Sequence, residues 1–293
     1  MNGKPWRILF TGSQNGPRNM AIDKAVFHSV AEGLSPPTLR LYGWEPYCVS
    51  LGYFQDPSVE FDFKALAERG WDFVLRPTGG RAVLHAEEIT YSFSSLRNEA
   101  PWCETLALSH AKISQAWSEA FSEFHLQVSE GKCLEKPRRS SANLPCFAST
   151  SRSELAHAGR KVVGSAQRRT RTAFLQHGSM PLTPEHERLV EVLKLSSEER
   201  VAHLEELKRH AISLGEISPI PEELETWTQH LALAFCKAME IPFTIENLSE
   251  IEMQSAETME EQHRQWQADF FGKQESGSGG KSLSRQKQAI LVK

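Results

Sequence analysis

Short β-favouring runs, each closed by a Gly or Pro turn, fill most of the first 100 residues and leave room for only one long helical run. Ile8, Leu9 and Phe10 predict a strand, followed by the turn-rich stretch TGSQNGPRN. Ala21, Ala25 and Val26 then recur at helical spacing within 20–30. Residues 38–42 and 48–53 carry β-favouring side chains bounded by Pro and Gly, and read as strands. A short helix is expected over 61–69, with Phe61, Ala65 and Leu66 on one face. A strand over 72–76 enters a Gly-rich segment, and another over 89–94 leaves it. This is a mixed α/β pattern.

Further on, 105–126 predicts a helix, 129–141 a polar basic loop, and 161–163 and 173–175 two short strands with Gly turns. After Pro184 the periodicity turns helical. Ser196 and Glu199 have capping-box spacing ahead of Val201, Leu204 and Leu207 on one face. Pro221 is placed as a first-turn proline before the stripe Leu224, Trp227, Leu231, Phe235. Met259, His263, Trp266 and Phe270 repeat that spacing in an acidic last helix. Residues 1–274 are expected to form a single domain whose part from about 185 is helical. The stretch 275–293 has four Lys/Arg against one Glu and reads as a flexible basic tail.

A chain of 293 residues buries enough surface to fold without a disulfide or metal staple. Cys48, Cys103, Cys133, Cys146 and Cys236 are dispersed, with no C-x-x-C pair, as suits a reducing compartment rather than a zinc site. A net charge of −4 gives no global reason for a nucleic-acid or membrane partner. No run of eighteen apolar residues exists, and the start has only a three-residue apolar run, so a soluble cytoplasmic protein is expected.

Chemistry concentrates in two segments. In RPTGGRAVLHAEEITYSFS, residues 76–94, Gly79 and Gly80 follow a strand and permit close backbone approach. Arg76 and Arg81 flank them and could hold an anion, and His85 is the nearby imidazole. The plain alternative is a hairpin with a tight turn. The second segment, 143–179, holds Cys146, Lys161 and His177, punctuated by Gly159, Gly164 and Gly178. A thiol after Pro145, near a run with no acid between 155 and 174, can be activated as thiolate by neighbouring cations. The plain alternatives are a small buried hydrophobe for Cys146 and a solvated hairpin for Arg160, Lys161, Arg168, Arg169 and Arg171.

Together these segments resemble a known superfamily. RPTGGRAVLH…TYS is similar to the Gly-rich signature of the lipoate-protein ligases, octanoyltransferases and biotin ligases, and GRKVVGSAQ followed by QHGS to their second signature. With Cys146 fifteen positions before Lys161, the chain most resembles octanoyltransferases of the LipM type; NMAID, CVSLGYFQ and AISLGEI fit as well. One departure is Ala86, where relatives often carry an acid, which leaves Glu87 and Glu88 to supply the charge.

The resemblance implies an α/β (α+β) fold: mixed, largely antiparallel sheets with surrounding helices, the biotin/lipoate protein ligase catalytic-domain fold. It implies transfer of octanoyl from acyl carrier protein, through a Cys146 thioester, to a lysine of a lipoyl domain such as the glycine-cleavage H protein. No ATP, metal or other cofactor is expected. Lys161 would position or activate the thiol and shuttle protons. Arg76, Gly79, Gly80, Arg81, His85, Gly164, Ser165, His177 and Gly178 would form the substrate site, and the local arginines would steer acidic partners. Rival readings are an ATP-dependent lipoate-protein ligase, against which Gly-Gly-Arg at 79–81 and Cys146 both argue, and an octanoyl-[H protein]:protein amidotransferase using the same thioester chemistry. A fourth is a binding module without activity, which the presence of Cys146 and Lys161 opposes.

Overall fold

A computed structural model describes residues 5–99, 102, 105–130 and 154–275. Cys103, Cys133 and Cys146, the expected basic loop from 131 and the tail from 276 lie outside the described residues.

The larger sheet is built from β1 (Trp6–Gln14), β2 (Thr38–Trp44), β6 (Glu88–Leu96), β7 (Ser129–Glu130), β8 (Leu155–His157), β9 (Arg160–Arg169), β10 (Ala173–Pro181) and β11 (Phe243–Glu246). Its order is β11-β1-β2-β6-β10-β9-β8-β7. Only the β11–β1 and β1–β2 pairings are parallel; from β2 onward every neighbour is antiparallel. A smaller sheet holds β3 (Cys48–Leu51) between β4 (Asp72–Leu75), which runs parallel to it, and β5 (Val83–His85), which runs antiparallel. The expected fold class is therefore observed. The Gly-Gly segment joins β4 to β5 across β3, so it is a crossover and not the tight hairpin that local sequence allows.

One face of the large sheet packs on α4 (Leu106–Glu123) and α7 (Leu224–Ala238), burying Trp6, Phe93, Trp102, Trp117, Phe174 and Phe235. Each such aromatic contributes roughly 1.5–3 kcal/mol by leaving water. The other face meets α1 (Gly16–Ala31). Asn15 caps this helix by accepting from the Arg18 amide at 2.9 Å, and Pro17 occupies its first turn. Along α1, Ala21, Ile22, Ala25, Val26 and Val30 face Leu9 and Ala256 of α8 (Glu250–Glu275). Further along α8, Trp266 stacks on Phe73 of the small sheet at 5.4 Å, and Phe270 joins them.

The remaining elements are short helices α2 (Pro57–Glu60), α3 (Phe63–Glu68) and α6 (Leu214–Ile217), a 3-10 helix over Pro184–Val192, and α5 (Ser197–His210). The capping box of Ser196 and Glu199 is present at the start of α5. Two helical expectations need correction. Val201 is 63 % exposed, because α5 buries His203 and Leu207 instead. Pro221 precedes α7 rather than opening it, since the helix starts only at Leu224. None of the described helices is long and apolar enough to cross a membrane.

Candidate active site

The two sheets and α1 line a cleft that opens to solvent, with about 440 Å³ of space between its walls and mouth. Its floor is the β9–β10 ladder, where Gly164 pairs with Ser179 and Ala166 with His177, so small residues alternate with functional ones on that face. Gly178 between them is obligatory: a Cβ there would lie 2.3 Å from the Tyr91 ring on the opposite face. Met20, Tyr42, Trp44 and Val83 supply apolar wall, and Ser50, Arg76, His85 and Thr90 supply the polar groups.

Of the sequence-predicted residues, the cleft brings together Arg76, His85, Gly164, Ser165, His177 and Gly178. Gly79, Gly80, Arg81 and Lys161 are not among the described residues that line it. Arg76 is buried and spends its guanidinium on its own chain, donating to the carbonyls of Ser50 (2.9 Å), Gly79 (3.0 Å) and Arg81 (2.5 Å). It thus clamps the Gly-rich crossover rather than holding an anion by itself. The clamp works because Gly52 abuts the loop so tightly that a Cβ would sit 1.9 Å from the Gly80 carbonyl oxygen.

His177 is held by Thr78, whose Oγ1 is 2.6 Å from Nε2, and its Nδ1 is 3.9 Å from Asp23 Oδ2. Burial pushes its pKa below the ordinary imidazole value, partly opposed by Asp23. Asp23 itself pairs with Arg40 at 2.6 Å and accepts from Tyr42 (2.9 Å) and Ser92 (2.7 Å). Burial alone would raise its pKa, but Arg40 and the hydrogen-bond donors outweigh it and hold the carboxyl below its usual value.

His85 has a full set of partners. Its Nδ1 lies 2.8 Å from Glu88 Oε1 and its Nε2 2.7 Å from Ser50 Oγ, and Trp44 stacks on the ring at 4.1 Å. The charge missing at Ala86 is thus supplied to His85 by Glu88, two residues further on.

Lys161 is 1 % exposed, and its Nζ meets Glu154 Oε1 at 2.6 Å beside that 6 %-exposed carboxylate. It is a buried lysine paired with a carboxylate rather than a surface lysine. Cys146, its expected partner, lies outside the described residues. Cys48 and Cys236 behave as small buried hydrophobes: burial raises both thiols, that of Cys236 to about 12. Of the arginines expected to form a basic rim, Arg169 is drawn into the fold, donating to Gln167 and Ser109, while Arg160 faces Glu216 at 3.5 Å.

Sequence reasoning missed Ser50, Thr78, Asp23, Trp44 and Glu154 as site groups. A hydroxyl within the apolar run Cys48-Val49-Ser50-Leu51 is the one local signal that marks Ser50. Glu154 stands just before the acid-free stretch and is its nearest counter-charge.

A family model for the lipoyl protein ligase A/B catalytic domain matches residues 15–236. The chain belongs to this family. Curated relatives include octanoyltransferase LipM of Kyrpidia tusciae, 37% identical over 258 residues that cover 87% of this chain and 94% of that protein. The LipM protein of Moorella thermoacetica is 36% identical over 251 residues, covering 85% and 92%. In fold, the chain matches the bi-partite lipoate protein ligase of Thermoplasma acidophilum, solved in a study with its E2 lipoyl domain (TM-score 0.72, 19% identity, 88% of this chain and 93% of that one). Lipoate-protein ligase A bound with ATP matches similarly (TM-score 0.71, 19% identity, 88% and 95%).

Proposed function

We propose that this protein is an octanoyltransferase of lipoate biosynthesis that moves octanoyl from acyl carrier protein, through a Cys146 thioester, to a lysine of a lipoyl domain such as the H protein. The observation that carries this reading is the identity of over a third, across nearly the whole length, to LipM octanoyltransferases. The cleft is consistent with it. Met20, Tyr42, Trp44 and Val83 offer apolar wall over a floor of Gly164 and Ala166. Burying an eight-carbon chain there contributes several kcal/mol at about 0.8 kcal/mol per methylene.

In the first step Cys146 Sγ attacks the donor thioester carbonyl; a C–S bond to the enzyme forms as that to the carrier breaks, and the carrier thiol takes the proton. In the second, the acceptor amine forms the C–N bond and the Cys146 sulfur leaves. Splitting the transfer this way needs no ATP, metal or other cofactor. Lys161, kept as a cation beside Glu154, fits a role in favouring thiolate over thiol. We assign the reaction to the cytoplasm, the reducing compartment that the dispersed cysteines suit.

The test is intact-protein mass spectrometry after incubation with octanoyl-acyl carrier protein without ATP. A hydroxylamine-sensitive octanoyl adduct on wild type, absent from Cys146→Ala and discharged by apo-H protein, is the expected outcome. ATP-dependent modification of the H protein by free octanoate, with no adduct, would move the chain to the ligases.

A further inference from the structure

The cleft wall carries a second group able to take up a proton, and the directions of its hydrogen bonds follow from its own members. The Trp44 indole N–H can only donate, and it donates to Thr90 Oγ1 at 2.8 Å. The Thr90 hydroxyl therefore turns its proton to Glu88 Oε1, and Ser179 donates to Glu88 Oε2 at 2.5 Å. Glu88 is an acceptor to all its neighbours, so the His85 Nδ1, 2.8 Å away, carries the ring proton. In the neutral ring the His85 Nε2 then carries the lone pair, facing the Ser50 hydroxyl at 2.7 Å. Arg76, another donor-only group, occupies a lone pair of Ser50 Oγ at 3.0 Å and leaves the hydroxyl proton to His85. Ser50, His85, Arg76 and Trp44 all line the cleft. Lys161 is tied to Glu154 and is not among the described lining residues.

The geometry points to Ser50 and His85 as the proton acceptor for the second half-reaction, with Glu88 as the residue that positions His85. The inference rests on the acyl-enzyme reading above. As the neutral acceptor amine forms its bond to the acyl carbon and the bond to Cys146 sulfur breaks, the amine gives a proton to Ser50 Oγ. Ser50 passes its own proton to His85 Nε2. The imidazolium so formed is paired with the Glu88 carboxylate, and the proton returns by the same path to the Cys146 thiolate. Proton count and charge are restored at the end of each turnover. Lys161, paired with Glu154 at 2.6 Å, contributes its charge beside this path.

Single-turnover measurements separate the two half-reactions. Wild type, Ser50→Ala, His85→Asn and Glu88→Gln are loaded with octanoyl from the carrier protein, and then discharged either to an apo-lipoyl domain or to hydroxylamine, a strong nucleophile that does not depend on an enzymic base. Ser50→Ala and His85→Asn are expected to lose far more in discharge to the lipoyl domain than in loading or in discharge to hydroxylamine. Their discharge to the lipoyl domain should slow by about 10²–10⁴-fold. Glu88→Gln should slow the same step by a smaller factor, with Glu88→Asp recovering part of it and imidazole rescuing His85→Gly.

Discharge of both Ser50→Ala and His85→Asn to the lipoyl domain at the wild-type rate would overturn the proposal. So would an equal loss in loading, hydroxylamine discharge and lipoyl discharge, the mark of a merely structural role. Absence of any adduct on wild type would overturn the acyl-enzyme reading itself, and the proposal with it.

Discussion

Two polar networks made of the same kinds of residue flank the cleft, and they are wired differently. Around Asp23 the hydrogen bonds close on the carboxylate. Arg40 pairs with the carboxylate and also donates to Asn19 Oδ1 at 2.6 Å and to the Asn19 carbonyl at 3.1 Å, while Tyr42 and Ser92 complete the shell. Around Glu88 the hydrogen bonds run outward instead, from the carboxylate through His85 to a serine hydroxyl on the cleft wall. The first network holds α1 to β2 and β6. The second ends on a group that a substrate can reach. A buried charge that closes on its partners is scaffold; one whose chain of donors ends at a cavity is a candidate for chemistry.

Breaking the closed network should cost the most stability. Arg40→Met leaves the Asp23 carboxylate buried without its cation, and a loss of about 3–5 kcal/mol is expected in urea unfolding. Restoring neutrality with Asp23→Asn in the same chain should recover much of it, whereas no substitution at Glu88 should show that rescue.

The next effect is set by acid. His263 is buried on α8, and burial, with the nearby Lys24, depresses its pKa to about 4. Its folded value lies below its unfolded one, so the unfolded chain binds the proton first as pH falls. Stability is fully present above about pH 6.5 and is lost down to about pH 4, by roughly 3 kcal/mol for this residue. Burial depresses His110, His177 and His186 in the same direction, and protonation of Asp23 at lower pH adds to the slope. Melting temperature measured against pH should fall through this window, and His263→Leu should flatten the fall.

The comparison also explains what the sequence made legible. Local signals held where local physics decides: the Ser196–Glu199 capping box, the α1 spacing and the strands at 38 and 72 are all present. β9 and β10 run to Arg169 and Pro181, well past the expected three residues each, because their ladder tolerates the polar stretch Ser165–Arg169 that a hydrophobicity pattern reads as loop. β5 was hidden for a related reason: three residues form a strand only because distant β3 pairs with them. Within the site, Arg76, His85 and His177 stood out because glycines flank them. Ser50 and Asp23 did not, since their partners are 35 and 17 residues away and only packing joins them. The environment of Cys146, the residue on which the resemblance leans most, lies outside the described residues.

Glu88→Gln sharpens the contrast at a smaller scale. The amide keeps the shape and one acceptor oxygen, but its NH₂ must face one of the donors that the carboxylate now satisfies: Ser179 on one oxygen, or Thr90 and His85 on the other. One unmatched buried pair costs about 1–3 kcal/mol, well below the Arg40→Met loss, and thermal unfolding should report that ranking.

The smallest expected effect tests the join between the networks. Thr78 Oγ1 touches His177 Nε2 at 2.6 Å, and His177 reaches towards Asp23 from the other nitrogen. Burial keeps His177 below its ordinary pKa, so at neutral pH the ring is uncharged and one nitrogen bears the proton. Thr78→Val deletes the hydroxyl with little change in volume and leaves Nε2 without that partner, at a cost of about 1 kcal/mol. If His177 belongs with the closed network, the variant should lose this stability while keeping its rate of octanoyl discharge. A fall in discharge rate larger than the stability loss would instead join His177 to the open network, and the cleft would then have two imidazoles at work rather than one.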